Sequence, residues 1–357
     1  MNFYEKEKHT AAAAKFEAQK IAFGPFAFQA AMALRDFGIL EVVETYGDAG
    51  VEIGPLAEKI NLSQYGVKIL AEAGLGIGLL LCKKNKYSLT NTGYFVLHDS
   101  MTRVNMDFVQ DVNYQGFFHL QEALKSGKPA GLKVFGDWPT LYQALAAFPP
   151  RVQKSWLNFD HFYSDAAFKE VLPLVFKAKP HKLLDVGGNT GKWALQCVCY
   201  HPEIQVTIAD LPGQLRMAEQ NIASQGFGAR VAYHAIDLLN PAEKLPFGYP
   251  IIWMSQFLDC FSQEQIICIL KRTAEVMGAG DHLYILETYW DRQKYEAGAF
   301  CLQQTSLYFA CIANGNSQMY HSEDMKACLE AAGMKVVEDI DNIGISHTLF
   351  KCIKKGS

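Results

Sequence analysis

"LLDVGGNTGKWAL", residues 183–195, decides the fold. "LLDV" reads as a strand, the glycines as a tight turn, and "KWAL" as the opening of a helix. That order is the nucleotide-site geometry of a doubly wound sheet, whose ligands sit at the C-terminal ends of the strands. Two phosphate-binding readings fail on the residues themselves. A G-x-G-x-x-G fingerprint counted from Gly187 needs glycine at 189 and 192, where Asn189 and Lys192 stand. No G-K-[ST] follows the turn either, as a P-loop would require.

Downstream, apolar β-rich runs recur at "IQVTIAD", "RVAYHAI", "YPIIWMS" and "DHLYILE", with amphipathic helices such as "PGQLRMAEQNIASQG" and "SQEQIICILKRTAEVMG" among them. This alternation predicts a parallel sheet with helices on both faces. The chain then closes with helix "SEDMKACLEAAG" and strands "KVVEDIDNI" and "SHTLFKCIKK".

Upstream the texture differs. Residues 20–165 read as helices with one hairpin, "LLLCKKNKYSLT", turning near Lys84-Asn85. Helix, turn, helix and hairpin make a winged-helix pattern, and winged helices often read DNA through their second helix. Between residues 22 and 98, however, six basic residues stand against seven acidic ones. The second helix, "SQYGVKILAEAG", carries one lysine and one glutamate. A DNA reader needs a positive face to neutralise phosphates, so oligomerisation is the preferred role.

The 357 residues favour two domains, and half of them are hydrophobic. A net charge of −4 points to neither nucleic acid nor an anionic membrane. No segment approaches the ~18 uninterrupted apolar residues of a membrane span. Nine cysteines without a C-x-x-C pair predict no disulfide framework, a reducing compartment and a cytoplasmic protein. Cys197, Cys199 and His201 in "LQCVCYHP" could be imagined as metal ligands. A helix burying small thiols is the preferred reading, and no metal site is expected.

The glycine turn names its ligand through its acids. Asp185 stands two residues before Gly187, awkward beside a pyrophosphate but suited to a cation. S-adenosylmethionine carries an ammonium and a sulfonium and no phosphate. Gly187 and Gly188 let the backbone approach it, and Asn189 tolerates the left-handed conformation a middle glycine would take. Asp210, ending "VTIAD", is placed for the ribose hydroxyls, and Asp237, in "YHAIDLL", for the adenine amino group.

Together "LLDVGGNTG", "ADLP", the Asp237 strand and "FLDCFSQEQ" resemble the small-molecule O-methyltransferases of the caffeate and hydroxyindole type. The N-terminal "AAMALRDFGILEVV" and "LLLCKKNKYSLTNTG" are similar to that family's winged-helix dimerisation module. The resemblance implies a class I methyltransferase fold: an α/β, Rossmann-like, seven-stranded and mostly parallel sheet with its last strand antiparallel. Ahead of it stands a mainly α winged-helix domain. The expected boundaries are 1–110 for the dimerisation domain, 111–178 for linking helices and 179–357 for the S-adenosylmethionine-binding domain. The resemblance also implies a homodimer through the N-terminal domain and a hydroxylated aromatic or polyketide-like acceptor. Carried over by position, Gly187, Asp210, Leu211, Asp237, Leu238 and Ser255 match cofactor contacts, with Ser255 replacing a common lysine. Phe159 and Tyr163 fall where the linking helix meets cofactor and acceptor. The aromatic-rich insertion after "DHLYILE", with Gln303, Gln304, Asn314 and Asn316, lines the acceptor pocket in the family.

The departure is at Asp259. Family members carry there the histidine that takes the acceptor's proton. Of the two glutamates flanking that histidine, the first matches Glu287 and the second falls on Met319, so it is absent. Asp259 and Glu287 are therefore the candidate catalytic pair. An ordinary aspartate, at ~3.9, is a feeble base for a phenol at ~10, whereas burial and a neighbouring glutamate would raise it. Two alternatives stand beside this: positioning of the acceptor suffices, or Asp259 caps the helix after Ser262, although Ser262 with Gln265 already makes a capping box. His321 and His161 are further candidates for the proton. Methylation of carbon or nitrogen, a repurposed cofactor-dependent reaction, and a cofactor-sensing regulator are the competing functions.

Overall fold

The computed structural model describes residues 3–356. They form two compact units divided between Val109 and Gln110, and the segment 111–178 belongs to the second.

In the N-terminal unit, helices Gly24–Asp36, Ile39–Glu44, Ile53–Ile60 and Gln64–Gly76 close over Leu34, Ile39, Leu40, Leu56 and Val67, all fully buried. Ser63 caps the helix Gln64–Gly76 by accepting the Gly66 N–H at 3.1 Å. Strands β1 (Leu80–Lys83) and β2 (Lys86–Leu89) pair antiparallel. Their two-residue turn places Lys84 at φ 51° and Asn85 at φ 61°, the left-handed pair that matches strand twist in a tight hairpin. The guanidinium of Arg35, the one arginine buried among the described residues, is held by Asp36 at 2.8 Å and Asp107 at 2.7 Å.

The second unit carries a seven-stranded sheet. Its strands are β3 (Lys182–Val186), β4 (Gln205–Asp210), β5 (Val231–Ala235), β6 (Ile251–Ser255), β7 (His282–Glu287), β8 (Met334–Ile343) and β9 (His347–Lys354). They lie in the order β5-β4-β3-β6-β7-β9-β8. β3 to β7 run parallel, and β9 is antiparallel to both β7 and β8. This is the class I methyltransferase sheet. Both faces are covered, which is why β3 and β6 read as continuous apolar runs. One core includes Leu184, Ile252 and Ile285, the other Leu183, Trp253 and Leu286.

The strand order reverses between β3 and β6, and at such a switch point the loops after the two strands diverge and leave a crevice. The long helix Pro150–Val175 starts with proline in its first turn, where the missing N–H costs nothing.

Two sequence expectations need correction. Cys197 is buried but Cys199 is exposed, so the helix Lys192–Tyr200 turns one thiol inward and the other to solvent. Asp237 does not end a strand: it stands two residues beyond Ala235, exposed, with Oδ1 accepting the Leu239 N–H at 2.9 Å. Its own backbone is tied to Glu243 instead of to the sheet. No helix among the described residues is long and apolar enough to cross a membrane.

Candidate active site

The site is built where β3, β4 and β6 end. Gly187 leaves β3 at φ +73°, and its N–H donates to the Ala209 carbonyl at 2.9 Å, so the turn is stitched to β4. A Cβ on Gly187 would lie 2.1 Å from the Phe257 ring, and one on Gly188 2.7 Å from the Asp185 carboxylate. Only bare backbone fits between these groups. Asn189 sits at φ +49°, the conformation expected of it. Its N–H donates to Asp210 Oδ2 at 2.8 Å, while the Leu211 N–H donates to Oδ1 at 2.7 Å. Burial pushes the Asp210 carboxyl up to about 6, against the pull of those two amides.

A small recess opens under this loop, lined among others by Asp160, Asp185, Asn189 and Ser255. Asp185 Oδ2, Asn189 Oδ1 and Ser255 Oγ are buried there without a hydrogen-bond partner. Native interiors rarely leave such atoms unsatisfied. Burial, and then the charge of Asp210, holds the Asp185 carboxyl well above its ordinary range. Three orphan oxygens suit a donor-only group with several N–H bonds, which is what an ammonium is. The residues present therefore fit the cofactor that the sequence names.

A larger cavity continues from the recess, with about 1490 Å³ of space including its open mouth. Gly187, Asn189, Asp210, Leu211, Asp237 and Leu238 line one end. Asp259, Phe261, Tyr308, Phe309, Asn314 and Met319 line the other. Phe159 faces this cavity, whereas Tyr163 lies outside its wall with its ring edge-on to Phe159 at 5.3 Å. Gln303 and Gln304 also lie outside it. Trp156 donates its indole N–H to the Tyr308 hydroxyl at 2.7 Å, fixing the linking helix to the helix Glu296–Tyr308.

Asp259 stands in a short turn, Leu258–Cys260, that follows β6. The turn is reached through Gln256 at φ +46°, an uncommon conformation for a residue with a Cβ and a sign of functional constraint. Asp259 is 6% exposed, and its Oδ1 accepts the Cys260 thiol at 3.4 Å. The helix after it is capped by Ser262 and Gln265 through a full capping box, so Asp259 takes no part in that cap. Burial raises its carboxyl to about 6.

Glu287, the last residue of β7, lies behind this turn and not in the cavity wall. Its Oε1 accepts the N–H groups of Phe257 and Leu258, and Oε2 is buried without a partner. Burial, then the charge of Asp259, holds its carboxyl well above the usual range. The two acids thus lie close enough for the charge of Asp259 to oppose that of Glu287, and both cannot ionise freely.

Neither histidine lines the larger cavity. His161 bonds Thr190 Oγ1 at 3.2 Å in the recess, and burial drops its pKa to about 4. His321 caps the helix Ser322–Ala331, its ring accepting the Glu323 N–H at 3.1 Å.

The residue that sequence reasoning missed is Asp160. It lines both recess and cavity, and its Oδ2 accepts the Asn189 side-chain amide at 3.2 Å. Burial and then the charge of Asp259 push its carboxyl up to about 7. The signal was present: Asp160 lies four residues after Trp156 and eight before Phe168, on the buried stripe of its helix.

The family model of a Dimerisation2-like domain matches residues 15–87, and that of an O-methyltransferase domain matches residues 117–335, more than half of the chain. A 3-hydroxy-5-methyl-1-naphthoate 3-O-methyltransferase from Streptomyces sahachiroi is 23% identical over 277 residues, 77% of each chain. A bacteriochlorophyllide d C-20 methyltransferase from Chlorobaculum tepidum is 25% identical over 199 residues, 55% of this chain and 53% of its own. Among solved structures, the S-adenosylmethionine-dependent methyltransferase SibL superposes with a TM-score of 0.72 at 23% identity, over 95% of this chain and 99% of that one. Its likeness is one of fold.

Proposed function

Because this chain belongs to the family of S-adenosylmethionine-dependent O-methyltransferases, we propose that it methylates a hydroxyl of a flat aromatic or polyketide-like small molecule held in the larger cavity. The observation that carries this reading is the continuity of one cavity from the glycine loop and Asp210 to Asp259 and the aromatic wall. The 3-hydroxynaphthoate named for the Streptomyces relative is such an acceptor.

When bound, S-adenosylmethionine supplies an electrophilic methyl group on its sulfonium. Asp185, Asn189 and Ser255 hold its amino-acid end through the three orphan oxygens, Gly187 and Gly188 give it room, and Asp210 and Asp237 take the ribose and adenine. Leu211 and Leu238 add apolar wall at that end. Phe159 continues that wall toward the acceptor.

Asp259 takes the proton of the acceptor hydroxyl. Burial brings its carboxyl to about 6, roughly two units nearer to a phenol at ~10 than an exposed aspartate at ~3.9. It remains a weaker base than a histidine, so positioning carries more of the rate here. The aromatic wall and the Asn314 amide, which donates to the Cys260 carbonyl beside Asp259, hold that geometry.

The exposed Phe16 and Ile21 of the helix Ala11–Ala22, Phe26 of the helix Gly24–Asp36 and the Dimerisation2-like match support a homodimer through the N-terminal unit.

A second reading, transfer to carbon, draws on the aspartate in the histidine's place and on the C-20 methyltransferase among the relatives. One experiment separates the two. The protein is incubated with 13C-methyl-labelled cofactor and a panel of catechols, naphthols and polyketide-like phenols. A product methyl resonance in the methoxy region is expected, and one in the C-methyl region would replace the oxygen reading.

A further inference from the structure

Four charged residues line the larger cavity, Asp160, Asp210, Asp237 and Asp259, and among the described residues no lysine, arginine or histidine joins them. Two of the four are occupied at the glycine-loop end. Asp210 is satisfied by the Asn189 and Leu211 amides and Asp237 by the Leu239 amide. Asp160 and Asp259 remain. Each lies in the electrostatic surroundings of the Tyr308 hydroxyl on the cavity wall, and the charge of Asp259 acts on Asp160.

Among the described residues neither is paired with a lysine or arginine, although the charge of Lys192 acts on Asp160. Asp160 meets the Asn189 amide at 3.2 Å and the His161 ring at 3.8 Å, a ring that burial keeps neutral. Lys192 lines the recess and is paired to Asp165 at 2.6 Å. Asp259 meets only a thiol among its side-chain donors. The space between is walled by Trp156, Phe159, Phe261, Tyr308 and Phe309, and aromatic faces attract cations. The Tyr142 hydroxyl, on the same wall, lies beside the Cys260 thiol.

A buried carboxylate without a cation is costly, and supplying the cation recovers much of that cost. A third negative charge in the same cavity costs more still. We propose that the acceptor of this enzyme carries a basic nitrogen, bound as a cation against Asp160 while Asp259 stays free for the hydroxyl proton, and that carboxylated aromatics are refused. The inference rests on the preceding reading in taking this cavity as the acceptor's place. It separates the chain from its relative named for a naphthoate. Asp160 acts as a specificity-determining residue, because its carboxylate stands between the cofactor recess and the acceptor cavity.

The test uses the full-length protein loaded with S-adenosylhomocysteine and three matched naphthols bearing aminomethyl, hydrogen or carboxylate at one ring position. Calorimetry is expected to rank them aminomethyl, unsubstituted, carboxylate, with about tenfold or more between the extremes. Asp160→Asn should shrink that ratio several-fold by weakening the aminomethyl ligand the most, and Asp160→Glu should keep the ranking. A carboxylate bound as tightly as the amine, or a variant that weakens all three ligands equally, overturns the proposal. Methyl transfer to the same naphthols keeps the two readings apart. Label on carbon with the ranking intact removes the oxygen reading alone. Label on the oxygen of the carboxylated naphthol at the amine's rate removes this one alone.

Discussion

The carboxylate of Glu287 accepts the backbone N–H of Leu258 at 2.8 Å, one residue before Asp259. The end of β7 therefore sets the turn that presents the candidate base, and it does so with a second acid. Glu287→Gln keeps an oxygen for the two amides and removes the competing charge. The acidic limb of kcat/KM against pH, set by Asp259 near about 6, is expected to move to lower pH in that variant. A limb that stays put would show that the pair does not share its titration. Glu287→Ala, which loses both acceptors, should lower stability by about 2–3 kcal/mol in chemical denaturation.

Asp259→Asn removes the base and preserves size. With general-base help worth about 10²–10⁴ in rate, kcat should fall by at least the lower figure, and the acidic limb should vanish. Cofactor affinity, measured by calorimetry, should hardly change, because Asp259 lies at the acceptor end of the cavity. Full activity across pH 5–8 would leave positioning alone as the mechanism.

The glycine loop and Asp210 give a prediction about binding alone. In Asp210→Ala the Asn189 and Leu211 amides lose an acceptor worth about 1.5–3 kcal/mol, so cofactor affinity should drop at least about tenfold. Gly187→Ala forces a side chain into φ +73° and against the Phe257 ring. It should lose cofactor binding while circular dichroism stays native. Cofactor affinity within twofold of wild type in either variant would take these residues out of the site.

Much of this was readable because it follows from local rules. The period-two and period-3.6 runs gave the sheet and its helices, and the Ser262–Gln265 capping box was visible as a motif. The glycine turn declared its acids because strand tips in this topology face the ligand. Glu287 was set beside Asp259 by the resemblance and not by any local pattern, since the two are far apart in sequence and only the parallel pairing of β6 with β7 brings their tips together. What escaped depended on packing. Asp160 was hidden because a charged residue on a helix reads first as solvated. Its buried stripe became decisive only once the helix was laid over the glycine loop. Tyr163, three residues on, was carried over by resemblance and points elsewhere.

The N-terminal unit presents Phe16, Ile21, Phe23 and Phe26 at 56–81% exposure. Exposed apolar residues in number support an interface, and residues 15–87 match a Dimerisation2-like domain. Ile21→Glu with Phe26→Glu should convert a dimer to a monomer in light scattering, with the fold of the sheet unit unchanged by circular dichroism. A wild-type protein that is monomeric at tens of micromolar would remove the homodimer.

The buried acids also govern stability without cofactor. Asp160 is raised to about 7 and Asp210 and Asp259 to about 6, with Asp185 and Glu287 raised as well. The folded state thus holds protons that the unfolded chain releases near ~4. Their contribution is present below that value and is lost as pH rises toward 6–7. The buried His161 and His347, both lowered to about 4, act oppositely, adding stability as pH rises toward ~6.5. The two trends oppose one another, but the histidines' gain is half complete at about pH 6.5 and fades by about 7.5, while Asp160 and the other raised acids are still losing protons. The Tm of the cofactor-free protein should therefore fall between pH 6.5 and 7.5, and fall less in Asp160→Asn. A Tm that rises across that interval, or a slope the variant leaves untouched, would place Asp160 in water.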